Sequence, residues 1–117
     1  MSVSPTFRTF VLEQLGRVLP DLRARSMFGG VGLYSGERFF ALIDDDTLYF
    51  KVDASSRADF EARGMSPFRP GGPGGEVMQY YEVPAEVIEE AEVLRPWAER
   101  AVAVATRTAR ARARRRG

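Results

Sequence analysis

Residues 31–52, VGLYSGERFFALIDDDTLYFKV, decide the fold of this chain. Three apolar segments, at 31–34, 39–43 and 47–52, are separated by the groups Ser35-Gly36-Glu37 and Asp44-Asp45-Asp46. Short apolar runs between such turn-forming residues predict consecutive strands joined by hairpins. A further segment around Met27-Phe28 precedes Gly29-Gly30, so the pattern predicts an antiparallel meander of three or four strands.

The last of these segments also predicts how the sheet is covered. Successive side chains of a strand point to opposite faces. Leu48, Phe50 and Val52 therefore share one face, which we expect to be buried, and Thr47, Tyr49 and Lys51 share the other, which we expect to be at least partly wet.

A helix is predicted before the meander. Ser4 is a favourable N-cap and Pro5 suits the first helical position. Helical spacing then predicts one apolar face, formed by Phe7, Phe10, Val11, Leu15 and Val18. Pro20 is expected to end this helix.

Shorter elements are predicted after the meander. Ser56 and Asp59 resemble a capping pair, which predicts a helix from Arg57 to Arg63 with Phe60 as its core anchor and Gly64 as a left-handed C-cap. Residues 70–75 (PGGPGG) predict an exposed loop, and residues 77–83 predict a strand.

Helices are predicted for the rest of the chain. Pro84 opens a short helix that runs through Glu90. A last helix is predicted from an apolar stripe that consists of Leu94, Trp97, Ala101 and Ala105. Pro96 fits this last helix only if it lies in the first turn. This order predicts an α+β fold, an antiparallel sheet with N-terminal and C-terminal helices packed on it. We expect one domain over residues 1–106 and an arginine-rich tail over 107–117.

The composition argues against an enzyme. The 117 residues include no histidine and no cysteine, which removes the commonest general base, the commonest metal ligand and any thiolate nucleophile. We therefore predict no catalytic residue, no cofactor and no metal site. The longest apolar run, 39–43, is far shorter than a membrane span, and residues 1–5 lack the features of a secretory signal, so we expect a cytoplasmic protein.

Charge is concentrated at the C-terminus. The chain has 17 basic and 16 acidic residues, and six of the bases but none of the acids fall within 107–117, so residues 1–106 carry a formal charge of −5. These six arginines are candidate nucleic-acid contacts: Arg107, Arg110, Arg112, Arg114, Arg115 and Arg116. Alanines between them permit an extension of the last helix, but a frayed, solvated end is the favoured interpretation.

Two motifs each have a functional and a structural interpretation. Gly29-Gly30-Val31-Gly32 could hold a phosphate, yet no Gly-Lys-Ser/Thr follows, which favours a tight turn or close strand packing. Asp44-Asp45-Asp46 could hold a divalent cation, but the spacing of a calcium loop is missing, which favours a solvated hairpin turn.

Single residues have the same ambiguity. Lys51, the one lysine, could act as a base, although an exposed cation paired with an acid on a neighbouring strand is the favoured interpretation. Tyr49, Tyr80 and Tyr81 could form a stacking surface for single-stranded nucleic acid. Tyr80 and Tyr81 must face opposite ways in a strand, which favours one in the core and one at the rim.

Several strings resemble the N-terminal domain of the TfoX (Sxy) proteins. They are residues 26–34 (SMFGGVGLY), 39–43 (FFALI), 48–53 (LYFKVD), 67–68 (PF), 80–84 (YYEVP) and 97–98 (WA), in the family's order from about Phe7 to Ala105. The residues that match these motifs are assigned structural roles: Met27, Phe28, Gly29, Gly30, Tyr49, Lys51, Asp53, Tyr80, Tyr81, Pro84 and Trp97.

The resemblance implies an α+β domain associated with competence regulation and transcriptional co-activation, and no catalytic residues. The C-terminal domain of two-domain members is missing here, so we expect a stand-alone domain. We further expect Gly29, Gly30 and Gly32 to permit strand entry and Trp97 to pin the last helix to the sheet; the core is expected to contain Phe39, Leu42, Leu48 and Phe50.

Three functional hypotheses follow. The first is a regulatory or adaptor domain that contacts a protein partner, such as the transcription machinery or a regulator, and that can pair as a homodimer. The second is a nucleic-acid-associated protein that uses the arginine tail. The third, ranked last, is a small-ligand or metal-binding domain, or a magnesium-dependent enzyme, that uses Asp44 to Asp46.

Overall fold

Nine helices and strands are seen in the computed structural model, which describes residues 4–27, 29–70 and 79–116. In chain order they are α1 (Pro5–Gly16), β1 (Leu22–Met27), β2 (Gly30–Ser35), β3 (Arg38–Asp44), β4 (Thr47–Lys51), α2 (Ala54–Ala62), β5 (Tyr80–Glu82), α3 (Ala85–Glu89) and α4 (Ala91–Arg116).

The five strands form one antiparallel sheet in the order β1-β2-β3-β4-β5. Each strand pairs with the next strand in the chain. Two-residue turns join β2 to β3 and β3 to β4, whereas α2 lies between β4 and β5. The predicted α+β fold, a meander plus a later strand with helices at both ends of the chain, is confirmed.

Strand β1 lies earlier than the apolar segment predicted around Met27-Phe28. It runs from Leu22 to Met27 and exposes Arg23 and Arg25. Charged side chains are tolerated there because β1 is an edge strand with one neighbour. Phe28 lies outside the described residues.

One face of the sheet carries the core. Register places Ala41 beside Phe50 and Ile43 beside Leu48 on this face, and all four are fully or almost fully buried. They belong to one apolar cluster with the helical residues Val11, Leu15, Leu94, Ala98, Ala101 and Ala105. The predicted burial of Leu48, Phe50 and Val52 is therefore confirmed. We call the opposite face, with Leu42, Tyr49, Lys51 and Tyr80, the open face.

A β-bulge divides the two phenylalanines of β3. Leu33 pairs with Ala41 and Tyr34 pairs with Phe39, which leaves Phe40 as the extra residue. Phe40 is fully buried in the core, whereas Phe39 stacks on Tyr34 with ring centroids 5.1 Å apart. The prediction that Phe39 and Leu42 fill the core is wrong, because the bulge interrupts the alternation and Leu42 faces the same way as Tyr49.

Helix α1 begins as predicted, with Ser4 Oγ accepting a hydrogen bond from Phe7 N at 3.2 Å. It ends at Gly16, four residues before Pro20. Phe10 is 38% exposed, so its predicted place on the apolar face is wrong. Buried Gln14 instead donates to the carbonyls of Ile88 and Glu89 and thereby ties α1 to α3.

Helix α4 carries the predicted stripe, since Leu94, Ala101 and Ala105 are buried. Pro96, however, is not in its first turn. The helix begins at Ala91, with Leu94 N bonded to Glu90 O at 2.9 Å, so that Pro96 falls in the second turn. A helix of 26 residues can lose this one N–H donor and still continue.

The outer edge of β5 is covered by residues 66–68. Phe68 N donates to Tyr80 O at 2.8 Å and Glu82 N donates to Ser66 O at 3.0 Å. Of the predicted exposed loop only Pro70 is described, and it is exposed; 71–75 and the start of the predicted strand 77–83 lie outside the described residues.

Candidate binding groove on the open face

A groove of about 720 Å³ lies along the open face and reaches three residues of the core cluster, Val31, Ile43 and Ala105. All five strands, the segment before residue 71 and the C-terminal half of α4 contribute to it. Its walls are mainly apolar and include Met27, Phe39, Leu42, Phe68, Tyr80, Ala105 and Ala109; its charged residues are Glu37, Arg38, Asp44, Lys51 and Arg112. This volume is typical of sites for small organic ligands.

Gly32 allows the apolar floor of the groove to close. A Cβ at Gly32 would lie 2.6 Å from Met27 Cε and 3.2 Å from Phe39 Cε1. Because glycine has no side chain there, Met27 and Phe39 can approach each other over the sheet. Phe39 also contacts Tyr80, with ring centroids 5.7 Å apart.

Lys51 is half-buried in this groove, and its predicted ion pair with an acid is wrong. Its Nζ lies 4.9 Å from the centroid of the Tyr80 ring, a cation–π contact. Burial lowers the pKa of Lys51, and the positive charge of Arg112 lowers that pKa further. Among the described residues no carboxylate forms an ion pair with Lys51 or Arg112.

Tyr80 and Tyr81 face opposite ways, but neither is at the rim. Tyr81 packs on Phe60 in the core and donates to Glu61 Oε2 at 3.0 Å. Tyr80 lines the groove and is only 5% exposed, because Phe39 and Lys51 cover its ring. Burial raises the pKa of Tyr80 to about 12.

The buried Tyr80 hydroxyl predicts a loss of stability in alkali. Between pH 10 and pH 12 the unfolded chain ionises Tyr80 while the folded chain keeps it neutral. The free energy of unfolding should therefore fall as pH rises through this window, by about 2–3 kcal/mol from this residue. Y80F should remove that part of the loss in urea titrations at each pH. An identical pH dependence in wild type and Y80F would contradict the assignment.

The cap of α2 differs from the prediction. Asp53, not Ser56, is the N-cap: Asp53 Oδ1 accepts from the backbone N–H of Ser55 and of Ser56, and Ser56 Oγ accepts from Asp53 N at 3.1 Å. The helix consequently begins at Ala54, three residues earlier than predicted, since aspartate caps as well as serine. Phe60 and Gly64, which has φ +75°, occupy their predicted core and C-cap positions.

Asp53 also holds the last helix to the sheet. Arg107 Nη2 lies 2.7 Å from Asp53 Oδ2, and this hydrogen bond, with those from Ser55 and Ser56, holds the pKa of Asp53 well below its usual range. The charged carboxylate therefore contributes stability at neutral pH that is lost as pH falls below the unfolded value of 3.8.

D53A should cost about 1–2 kcal/mol, the usual effect of removing a helix N-cap. D53N keeps a capping oxygen but removes the charge, so it should retain most of this stability, because the pair with Arg107 is partly exposed. Urea denaturation measures both variants. Equal losses in D53A and D53N would mean that the ion pair, and not the cap, is responsible.

The arginine segment is helical over the described residues 107–116, so the favoured frayed end is wrong. Arg107 is bound to Asp53 and Arg112 lines the groove, which fixes this part of α4 against the sheet. The side chains of Arg110, Arg114 and Arg115 are exposed. Arg116 ends α4, and its side chain lies outside the described part.

Asp44, Asp45 and Asp46 form the predicted hairpin turn. Asp44 pairs with Thr47, and Asp45 and Asp46 both have positive φ, as a tight turn between two strands requires. Asp46 Oδ1 accepts from Ser4 N at 2.6 Å. Within the described ranges, no group of three or more acidic side chains could hold a metal ion. No helix in those ranges is long and apolar enough to cross a membrane.

Comparison with known proteins identifies the family. The family description "TfoX N-terminal domain" matches residues 13–105. The chain belongs to the TfoX N-terminal domain family. A similar protein is the "DNA transformation protein TfoX1" of Aliivibrio fischeri (strain ATCC 700601 / ES114), which is 40% identical over 63 residues. That match covers 54% of this chain and 28% of the relative, so the chain spans less than a third of the relative's length.

The TfoX motif residues fall into two groups. Met27, Gly30, Lys51 and Tyr80 line the groove, and Tyr49 lies on the same face against Phe68, with ring centroids 4.9 Å apart. The other motif residues that the structure describes hold the scaffold together. Gly29 turns the chain with φ +81°, Pro84 is buried at the start of α3, and Asp53 and Tyr81 act as described above.

Trp97 also belongs to the scaffold, because it packs against the apolar cluster that contains both strand and helix residues. It meets Phe60 of α2 edge-on, with ring centroids 4.9 Å apart at 89°. The guanidinium groups of Arg63 and Arg100 lie over its ring. Phe60 in turn contacts Tyr81, so Phe60 connects Trp97 to the sheet.

The groove itself was missed from the sequence. Arg112 is remote in the chain, so nothing in its spacing placed it near Lys51. The sequence nevertheless contained one indication that the open face is covered, namely its apolar residues. Leu42, Tyr49 and Tyr80 share that face with Phe39, and a face this apolar is seldom left to water.

Proposed function

We propose that this chain is a non-enzymatic regulatory module that contacts a protein partner in the transcriptional control of DNA transformation. The partner is the transcription machinery or a regulator of it. Membership of the TfoX N-terminal domain family, together with the relative named as a DNA transformation protein, supports this role. We further propose that the open face is the working surface.

The observation that carries the proposal is the gathering of motif residues at the groove. Met27, Gly30, Lys51 and Tyr80 come from four different strands and line the same cavity. A purely structural set would have no reason to converge on an open cavity.

The chemistry of the groove supports binding and not catalysis. Proton transfer requires an acid or base within hydrogen-bond reach of its partner. Burial is the first cause of the pKa shifts of Lys51 and Tyr80, and in the described part neither side chain hydrogen-bonds to a second titratable group. Their environment therefore favours recognition.

The test is the frequency of DNA transformation in the host of this protein. Deletion of the gene should lower the frequency at least tenfold, and expression of the wild-type chain from another locus should restore it. Growth rate, measured in parallel, should not change. An unchanged frequency in the deletion strain would overturn the proposed role.

A second candidate function, association with nucleic acid, is favoured by the exposed arginines of α4. Arg110, Arg114 and Arg115 extend into solvent; Arg107 and Arg112 are also exposed, but Arg107 pairs with Asp53 and Arg112 lines the groove. The three exposed arginines that lie outside the groove can neutralise a few phosphates, which gives weak, salt-sensitive binding.

Gel shifts with duplex DNA decide between the candidates. The full chain with R110Q, R114Q and R115Q combined should lose binding at low salt if the arginines contact phosphates. The matched control is R8Q, on α1 at the other end of the chain, which should bind as wild type does. Failure of the wild-type chain to bind at low salt would exclude this second function, and binding that survives the triple substitution would exclude these arginines as its site.

A further inference from the structure

We propose that the groove binds a small organic anion that has a flat, apolar ring system and a carboxylate or similar acidic group. This inference goes beyond the proposed function, because it assigns the domain a ligand of its own. It rests on the size of the groove, the character of its walls and the cations within it.

The size of the groove favours a small molecule. About 720 Å³ is in the middle of the range of roughly 300–1000 Å³ for small-molecule sites. Residues 66–68 already occupy the outer edge of β5, so a peptide strand cannot extend the sheet on that side of the groove. A compact ligand fits both observations.

The walls favour a flat ring system. Phe39 and Tyr80 stand side by side with ring centroids 5.7 Å apart, and Phe68 and Leu42 also line the cavity. The small side chains of Ala105 and Ala109 form the part contributed by α4. Aromatic and small apolar side chains in one cavity favour a planar, apolar ligand.

The cations favour an acidic group on the ligand. Elsewhere, arginines such as Arg57, Arg63 and Arg95 form ion pairs with carboxylates. Lys51 and Arg112 form none among the described residues, although Lys51 is half-buried and both side chains line the same groove. Two like charges at an apolar cavity are unfavourable until an anion lies between them.

The acids of the groove do not neutralise this pair. Glu37 and Asp44 also line the cavity at opposite ends of β3, Glu37 in the turn before the strand and Asp44 as its last residue. The lining also contains Arg38, so three cations line the groove against two acids and its net charge is positive. An anionic ligand would therefore bind at Lys51 and Arg112.

The probe is naphthoate, titrated into the purified full-length chain by calorimetry. Wild type should bind it saturably, and naphthamide, which has the same rings without the charge, should bind at least tenfold more weakly. Inorganic phosphate, an anion without rings, should not compete. Equal affinity for naphthoate and naphthamide, or displacement by phosphate, would overturn the proposal.

Variants locate the site. K51M and R112M should each weaken naphthoate binding about tenfold, and A109W should abolish it by filling the groove. R110M and A113W are matched controls on exposed positions of α4 and should bind as wild type does. Melting temperatures confirm that each variant is folded, and R112M tests the charge even if K51M is unstable. Unchanged binding in both R112M and A109W would contradict the proposed site.

Binding by the purified chain is independent of the cellular role. If deletion of the gene leaves transformation unchanged while naphthoate binds as expected, the regulatory proposal fails and the ligand proposal stands. If transformation falls but wild type does not bind naphthoate, the ligand proposal fails alone.

Discussion

F60A should destabilise the protein by about 3–5 kcal/mol, the usual cost of truncating a buried phenylalanine. Phe60 is 2% exposed and connects three elements. Its ring contacts Trp97 of α4 and Tyr81 of β5, while its own helix is capped by Asp53. Without this ring, α2 and Trp97 lose their common contact with the sheet. Urea denaturation followed by tryptophan fluorescence measures both the stability and the environment of Trp97.

F10A is the matched control for this prediction. It removes the same atoms from a position that is 38% exposed, so its cost should be about 1 kcal/mol or less. Comparable losses for F60A and F10A would mean that α2 is not fixed to the rest of the fold through Phe60.

G30A should cost about 3 kcal/mol, at the upper end of the usual range for overpacking. A Cβ at Gly30 would lie 2.5 Å from the carbonyl oxygen of Ile43, on the neighbouring strand. This neighbour is backbone in the centre of the sheet, so it cannot turn aside as a flexible side chain would. The strands β2 and β3 must separate locally or shift in register.

G16A provides the control because a Cβ there meets nothing within 4 Å. It lies in the last turn of α1, where alanine is the better helix former, so its stability should be unchanged or slightly higher. If G30A were as stable as G16A, the close approach of β2 and β3 at the TfoX glycine motif would be wrong.

Most of the fold follows from local patterns. The turns at Ser35-Gly36-Glu37 and Asp44-Asp45-Asp46 and the alternation of Leu48 and Phe50 depend only on neighbours in sequence, and the structure has them as predicted. The same holds for the Ser4 cap. Such features can be predicted from the sequence because turn preferences and side-chain alternation depend on only a few neighbouring residues.

The errors arose where distant residues meet. The bulge that sends Phe39 to the open face depends on how β2 pairs with β3, and no local pattern shows it. Lys51 was expected in water because strand alternation cannot reveal that Tyr80 and α4 cover it. The wrong prediction of a frayed arginine segment has the same cause, since the hydrogen bond from Arg107 to Asp53 holds this part of α4 in place. The candidate site is built almost entirely from such long-range contacts.

The most direct test of the open face as the working surface uses two chromosomal variants in the host. A109W fills the groove, and A113W places the same side chain one turn further along α4, outside it. Transcripts of DNA-uptake genes, measured at equal levels of the two proteins, should fall to the level of the deletion strain in A109W and stay at the wild-type level in A113W. Wild-type transcript levels in A109W, in a host where the deletion lowers them, would contradict the account.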